Sequence, residues 1–125
     1  MQNEIFRTYC QTWLNKDLSG FLALLSEDIS YTECYGAQYQ GKAECEAWFQ
    51  HWFSNSENQV LSWEINSDSF DATHQTGFFT WTFECFYGGK LSKFDGASMV
   101  KFDENWKIIE IQEFEQKYEK FRPFS

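Results

Sequence analysis

Glu33 and Glu113 each close a short alternating segment that begins apolar: Ile29, Tyr31 and Glu33 share one parity, and so do Ile109, Ile111 and Glu113. Residues two apart on an extended strand face the same side, so inward-pointing isoleucines would carry both carboxyl groups into one interior. Two acids sharing a cavity resist simultaneous ionisation, and their pKa values separate; that separation produces a general acid beside a general base. Glu33 is the candidate base for such proton transfer. A plainer reading stays open for each residue. Glu33 can serve as a solvated rim carboxylate near Gly36, and Glu113 can face solvent, because the opposite parity, Ile108, Glu110, Gln112 and Phe114, is equally mixed.

Large rings are the other chemical resource. Trp13, Tyr31, Trp48, Trp52, Trp63 and Trp81 would form an aromatic wall around a flat ligand, or else pack as core. His51, on the polar edge of its helical pattern, and His74, in the polar stretch 67–76, read as surface residues. Cys10, Cys34, Cys45 and Cys85 are scattered without a CxxC pair, which points to reduced thiols and away from a structural zinc site. No Ser-His-Asp order, phosphate-cradling glycine loop or metal-ligand helix is present, so neither a metal nor a cofactor is expected.

The elements that must position these groups follow from periodicity. Ile5, Phe6, Tyr9, Cys10, Trp13 and Leu14 form one stripe of an amphipathic helix over Asn3 to Asn15. Asp17 caps a second helix, with Phe21, Leu22, Leu24 and Leu25 on its buried side, ending near Ser26. A strand over Ile29 to Cys34 and a loop between Gly36 and Gly41 follow, then a third helix from Lys42 to Ser54 carrying Cys45, Trp48, Phe49, Trp52 and Phe53. The rest alternates as long strands. Leu61, Trp63 and Ile65 share a face, as do Phe79, Trp81, Phe83, Cys85 and Tyr87, with turns at Gly88-Gly89 and Asp103-Glu104-Asn105.

The resulting order, ααβαββββ, predicts an α+β domain with three N-terminal helices against a curved, mostly antiparallel sheet, open at one end as a pocket. A chain of 125 residues fits one domain, 1–125, with its core at about 3–118 and a short tail at 119–125. Aromatic residues at 21% exclude a disordered polymer. A net charge of −9 disfavours nucleic acid and anionic membrane as partners, and no apolar run or signal-peptide pattern appears; a cytoplasmic protein is expected.

Three stretches together resemble the nuclear-transport-factor-2-like superfamily, in its SnoaL-like and ketosteroid-isomerase-like branch. They are Tyr9-x-x-x-Trp13-x-x-x-Asp17 leading to Phe21-Leu22-Ala23-Leu24-Leu25-Ser26-Glu27-Asp28-Ile29, then Gly41-Lys42-x-x-x-x-x-Trp48-Phe49, and Phe94-Asp95-Gly96-Ala97-Ser98-Met99-Val100-Lys101-Phe102-Asp103 with Lys107-Ile108. The resemblance runs from Tyr9 to about Phe114 and implies the cone-shaped, cystatin-like fold. It implies no single reaction. It places Glu33 where isomerase-like relatives have the proton-shuttling carboxylate, and Tyr9 where they have a phenol that donates to an oxyanion; a core tyrosine is the plainer alternative. At Ser98 those relatives carry a protonated acid, an arrangement of the ketosteroid isomerase kind. Serine lacks that acid, which makes steroid isomerisation an unexpected activity and leaves Ser98 as a ligand contact.

Two functions remain. One is a cofactor-independent isomerase, cyclase or dehydratase acting on a small, largely apolar molecule, with Glu33 as base and Tyr9 polarising an oxygen. The other is a non-catalytic ligand-binding or dimerisation module. Phe78, Thr80, Thr82, Glu84 and Phe86 on the outer sheet face favour a homodimer in either case.

Overall fold

The computed structural model describes Met1–Ser125. Helices α1 (Gln2–Leu14) and α2 (Leu18–Ala23) precede strands β1 (Leu25–Thr32) and β2 (Gln38–Gln40); then come α3 (Gly41–Ser54), β3 (Gln59–Asp71), β4 (Thr76–Tyr87), β5 (Lys90–Phe102) and β6 (Ile108–Lys117). Asp17 caps α2 as its sequence position suggests, accepting from Gly20 N–H at 3.0 Å. The α+β class and the three helices agree with the sequence reading. Three details differ from it.

First, the stretch between Gly36 and Gly41 is not wholly loop: Gln38–Gln40 form β2, paired antiparallel with Ser30–Thr32, and the order is ααββαββββ. Three residues are too few for a legible period. Second, α2 stops earlier than Ser26 because the chain is drawn into the sheet. Ile108 N–H donates to Leu24 C=O, the Lys107 ammonium donates to Ala23 C=O at 2.7 Å, and β1 begins at Leu25. Third, strict alternation fails at bulges. Val60 pairs with Cys85 and Ser62 with Glu84, so Leu61 is an extra residue and Val60, not Leu61, joins Trp63 and Ile65 on the inner face. Ile109 is likewise skipped between the Lys101–Glu110 and Phe102–Ile108 pairs, which leaves Ile108 and Ile111 fully buried.

The six strands form one sheet in the order β2-β1-β6-β5-β4-β3, antiparallel except for the parallel β1–β6 pair. Bulges let the long strands bend, and α1 and α3 cover the concave side. Phe6, Tyr9, Phe21, Phe79 and Val100 are among the fully buried residues there. The hairpin at Gly88-Gly89 has φ of 58° and 82°, the left-handed values that glycine adopts without a Cβ penalty. No helix is long and apolar enough to cross a membrane.

Candidate functional site

The helices do not fill the wide end of the cone. A cavity of about 700 Å³ remains between α3 and the inner faces of β1 and β3–β6. Its mouth carries exposed Tyr35, His51, Tyr87, Lys90 and Leu91. Thus His51, read from sequence as an unremarkable surface residue, stands at the entrance; the end of α3 rather than its helical stripe puts it there. His74 is exposed and paired with Asp71 at 2.7 Å.

Deep in the cavity a hydrogen-bonded series links three elements. The Tyr9 hydroxyl on α1 bonds to the Tyr31 hydroxyl on β1, and Tyr31 donates to Glu113 Oε2 on β6 at 2.6 Å. The parallel β1–β6 pairing brings this about, with Tyr31 opposite Ile111 and Glu113 two residues further along. Burial pushes the Glu113 carboxyl up to about 8; the Glu33 charge adds to the rise and the Tyr31 hydrogen bond opposes it. Burial, with the charge of Glu113, also raises both phenols well above their ordinary value. At neutral pH all three groups therefore keep their protons for most of the time. Glu113 is an acid able to donate, held in place by a phenol whose own partner is another phenol.

Glu33 lies just past the end of β1 and also lines the cavity. The Tyr39 hydroxyl on β2 donates to its Oε1 at 2.6 Å. Burial raises the Glu33 carboxyl somewhat and Tyr39 counteracts this; the phenol favours the ionised form by hydrogen bonding to it. Tyr39 is itself stacked on Trp48, with centroids 4.5 Å apart and planes at 12°. Trp48 in turn contacts Tyr31, at 4.7 Å between centroids. One indole therefore braces both tyrosines that hold the two acids.

The candidate site residues divide by depth. Tyr9, Trp13, Tyr31, Glu33, Trp48, Trp52, Trp63, Trp81 and Glu113 all border the cavity. Tyr9 has 0% exposure and its hydroxyl is engaged by Tyr31, so it stands behind the cavity surface rather than beside Glu33. Trp13 and Trp81 are nearly as buried and act as packing, whereas Trp48, Trp52 and Trp63 are half-buried and present ring surface. Ser98 corrects the expectation of a ligand contact. It is not among the lining residues, and its hydroxyl accepts from the Trp81 indole N–H at 2.9 Å. Gly96 makes that pose possible: a Cβ there would lie 2.4 Å from the Trp81 ring and 2.5 Å from the Phe114 carbonyl oxygen.

Tyr39, Phe83 and Phe94 also line the cavity and were not singled out from sequence. Phe83 shares the parity of Trp81, and Phe94 is its register partner, so both had a signal in the alternation. Tyr39 had none, because β2 is too short to show a period. Asp95 points to the outer face, accepting from Thr82 at 2.6 Å and pairing with Lys120 at 2.7 Å, which agrees with its opposite parity to Ser98.

Comparison with known families matches residues 6–111 to the SnoaL-like domain. Comparison with curated proteins gives no match. Among solved structures, an LEH-like epoxide hydrolase of Mycobacterium tuberculosis aligns with a TM-score of 0.77 at 12% identity, over 90% of this chain and 80% of that one. A Catenulispora acidiphila protein with a ketosteroid-isomerase-like fold, in complex with trimethylamine, aligns at 0.76 and 13% identity over 92% and 86%. A candidate polyketide cyclase of Pseudomonas putida aligns at 0.74 and 19% over 89% and 88%. At such identities the likeness is one of fold.

Proposed function

We propose that this chain, which belongs to the SnoaL-like domain family, binds a small, largely apolar molecule in its cavity and moves a proton on it without a cofactor. The observation that carries this reading is the pair of unequal carboxyls on one cavity wall. Glu33 is half-buried, and the rise that burial gives it is opposed by the Tyr39 hydrogen bond, whereas Glu113 is pushed up to about 8. Groups whose environments separate their pKa values are the usual makings of an acid and a base. Glu33 takes a proton from carbon, and Glu113 with its proton faces the oxygen on which charge develops. Tyr31 orients Glu113, and Tyr9 positions Tyr31. The chemistry is of the isomerase, cyclase or dehydratase type, and it needs no acid at Ser98.

Exchange of carbon-bound hydrogen provides the test where the natural substrate is unidentified. Small cyclic enones and ketones in D2O are followed by proton NMR, with wild type and with Glu33→Gln. The reading expects faster deuterium uptake next to the carbonyl with wild type and loss of that acceleration in the variant. Unchanged uptake in Glu33→Gln would reject Glu33 as base.

A non-catalytic module remains the second reading, supported by the occupied hydroxyls of Tyr9 and Tyr31. Under both readings we propose a homodimer through the outer sheet face. Phe78 and Phe114 are 46% and 57% exposed there, and the register runs Phe78–Met99 on one rung and Thr80–Ala97–Phe114 on another. Four free thiols, three of them buried, support the reducing cytoplasm as its location.

A further inference from the structure

The cavity wall is one-sided in charge. Its two carboxyls, Glu33 and Glu113, stand among aromatic rings, and the only basic side chains that border it, His51 and Lys90, are exposed residues at the mouth. Rings present a negative face and attract cations, most strongly where water is excluded. An anionic ligand would meet repulsion from both the rings and Glu33. A neutral one would leave Glu33 without a counter-charge in a half-buried position. Both acids are held at the edge of an aromatic cluster: the Tyr39 hydroxyl donates to Glu33 and the Tyr31 hydroxyl to Glu113, and Trp48 packs against both tyrosines.

We infer that the ligand of this cavity carries a positively charged nitrogen with apolar substituents, an alkylammonium, seated against the aromatic lining of the cavity beside the Glu33 carboxylate. The inference rests on the proposed small-molecule cavity and names the class of molecule that it takes. One positive charge is the number that fits, since burial holds the proton on Glu113 beside Tyr31 and Tyr9, whereas the Tyr39 hydrogen bond favours the charged form of Glu33. Other titratable groups facing this region, Cys34 and Tyr39, stay neutral, because burial raises each of them. The net charge of −9 on the whole chain adds long-range attraction for a cation.

Three probes of one shape and different charge test this with the wild-type protein at pH 7: choline, its neutral isostere 3,3-dimethylbutan-1-ol, and 3,3-dimethylbutanoate. Binding is read by quenching of tryptophan fluorescence and by calorimetry. The expected order is choline tightest, at least tenfold over the alcohol, with the carboxylate weakest. Glu33→Gln, which is nearly isosteric, should reduce the preference for choline over the alcohol by at least fivefold. Equal or better binding of the alcohol would overturn the inference and leave the small-molecule cavity standing. Failure of choline to bind at millimolar concentration would also overturn it, and the deuterium-exchange assay, which uses none of these probes, would then decide the catalytic reading by itself.

Discussion

Ser98 and Glu113 stand directly opposite each other in the β5–β6 ladder, and the acid is on Glu113. The resemblance implies a protonated acid at the position of Ser98. Here serine binds the Trp81 indole instead, and the carboxyl able to keep its proton enters from the neighbouring strand. The same interior is thus supplied with an acid from a different backbone position.

Stability should depend on Glu113 in a definite direction. Its folded-state pKa of about 8 lies above the usual carboxylate value, so between roughly pH 4.5 and 8 the unfolded chain has lost a proton that the folded chain retains. Stability therefore falls as pH rises through this window, by at most about 1.4 kcal/mol per pH unit from this group. Urea denaturation of wild type and Glu113→Gln across pH 5–8 measures the effect. The variant should lose most of the slope; parallel profiles would contradict the assignment.

Tyr31→Phe removes the hydroxyl shared by Tyr9 and Glu113 and leaves two buried polar groups without their partner. A loss of about 1–3 kcal/mol is expected by chemical denaturation. Because the Tyr31 bond is the influence that holds the Glu113 pKa down, the carboxyl should titrate higher still in this variant, as read by carbon-13 NMR.

Gly96→Ala places a methyl group against the Trp81 ring and a backbone carbonyl that cannot easily move. Overpacking of this kind costs about 1–3 kcal/mol. The displaced indole should also lose its bond to Ser98, visible as a shifted indole N–H resonance.

The proposed dimer is open to the same kind of test. Phe114→Lys puts a charge in the exposed patch that runs across β4, β5 and β6, where the residue is 57% exposed in the single chain. Sedimentation should report a dimer for wild type and a monomer for the variant, with thermal unfolding of the monomeric variant still cooperative. A wild-type monomer at micromolar concentration would dismiss the interface.

Much of this geometry was legible in residue order because the helices are amphipathic and β4 alternates cleanly. Phe79, Trp81 and Cys85 are buried and Phe78 and Phe86 exposed, as period two requires. Glu113 was legible as a candidate through Ile111, but not as the centre of the site, since its burial depends on a parallel pairing with β1 that no local pattern announces. Leu61 and Ile109 show the limit of alternation: a bulge moves one residue out of phase, and nothing in the two side chains marks it. Tyr39 was invisible for a related reason, because it acts from a strand of three residues.

Site-resolved carbon-13 titration of the glutamate carboxyls in wild type and Glu33→Gln tests the shared-cavity account most directly. The account predicts that Glu113 titrates near 8 in wild type, and at lower pH once the Glu33 charge is removed. Titration of Glu113 near the ordinary carboxylate value, unmoved by Glu33→Gln, would contradict it.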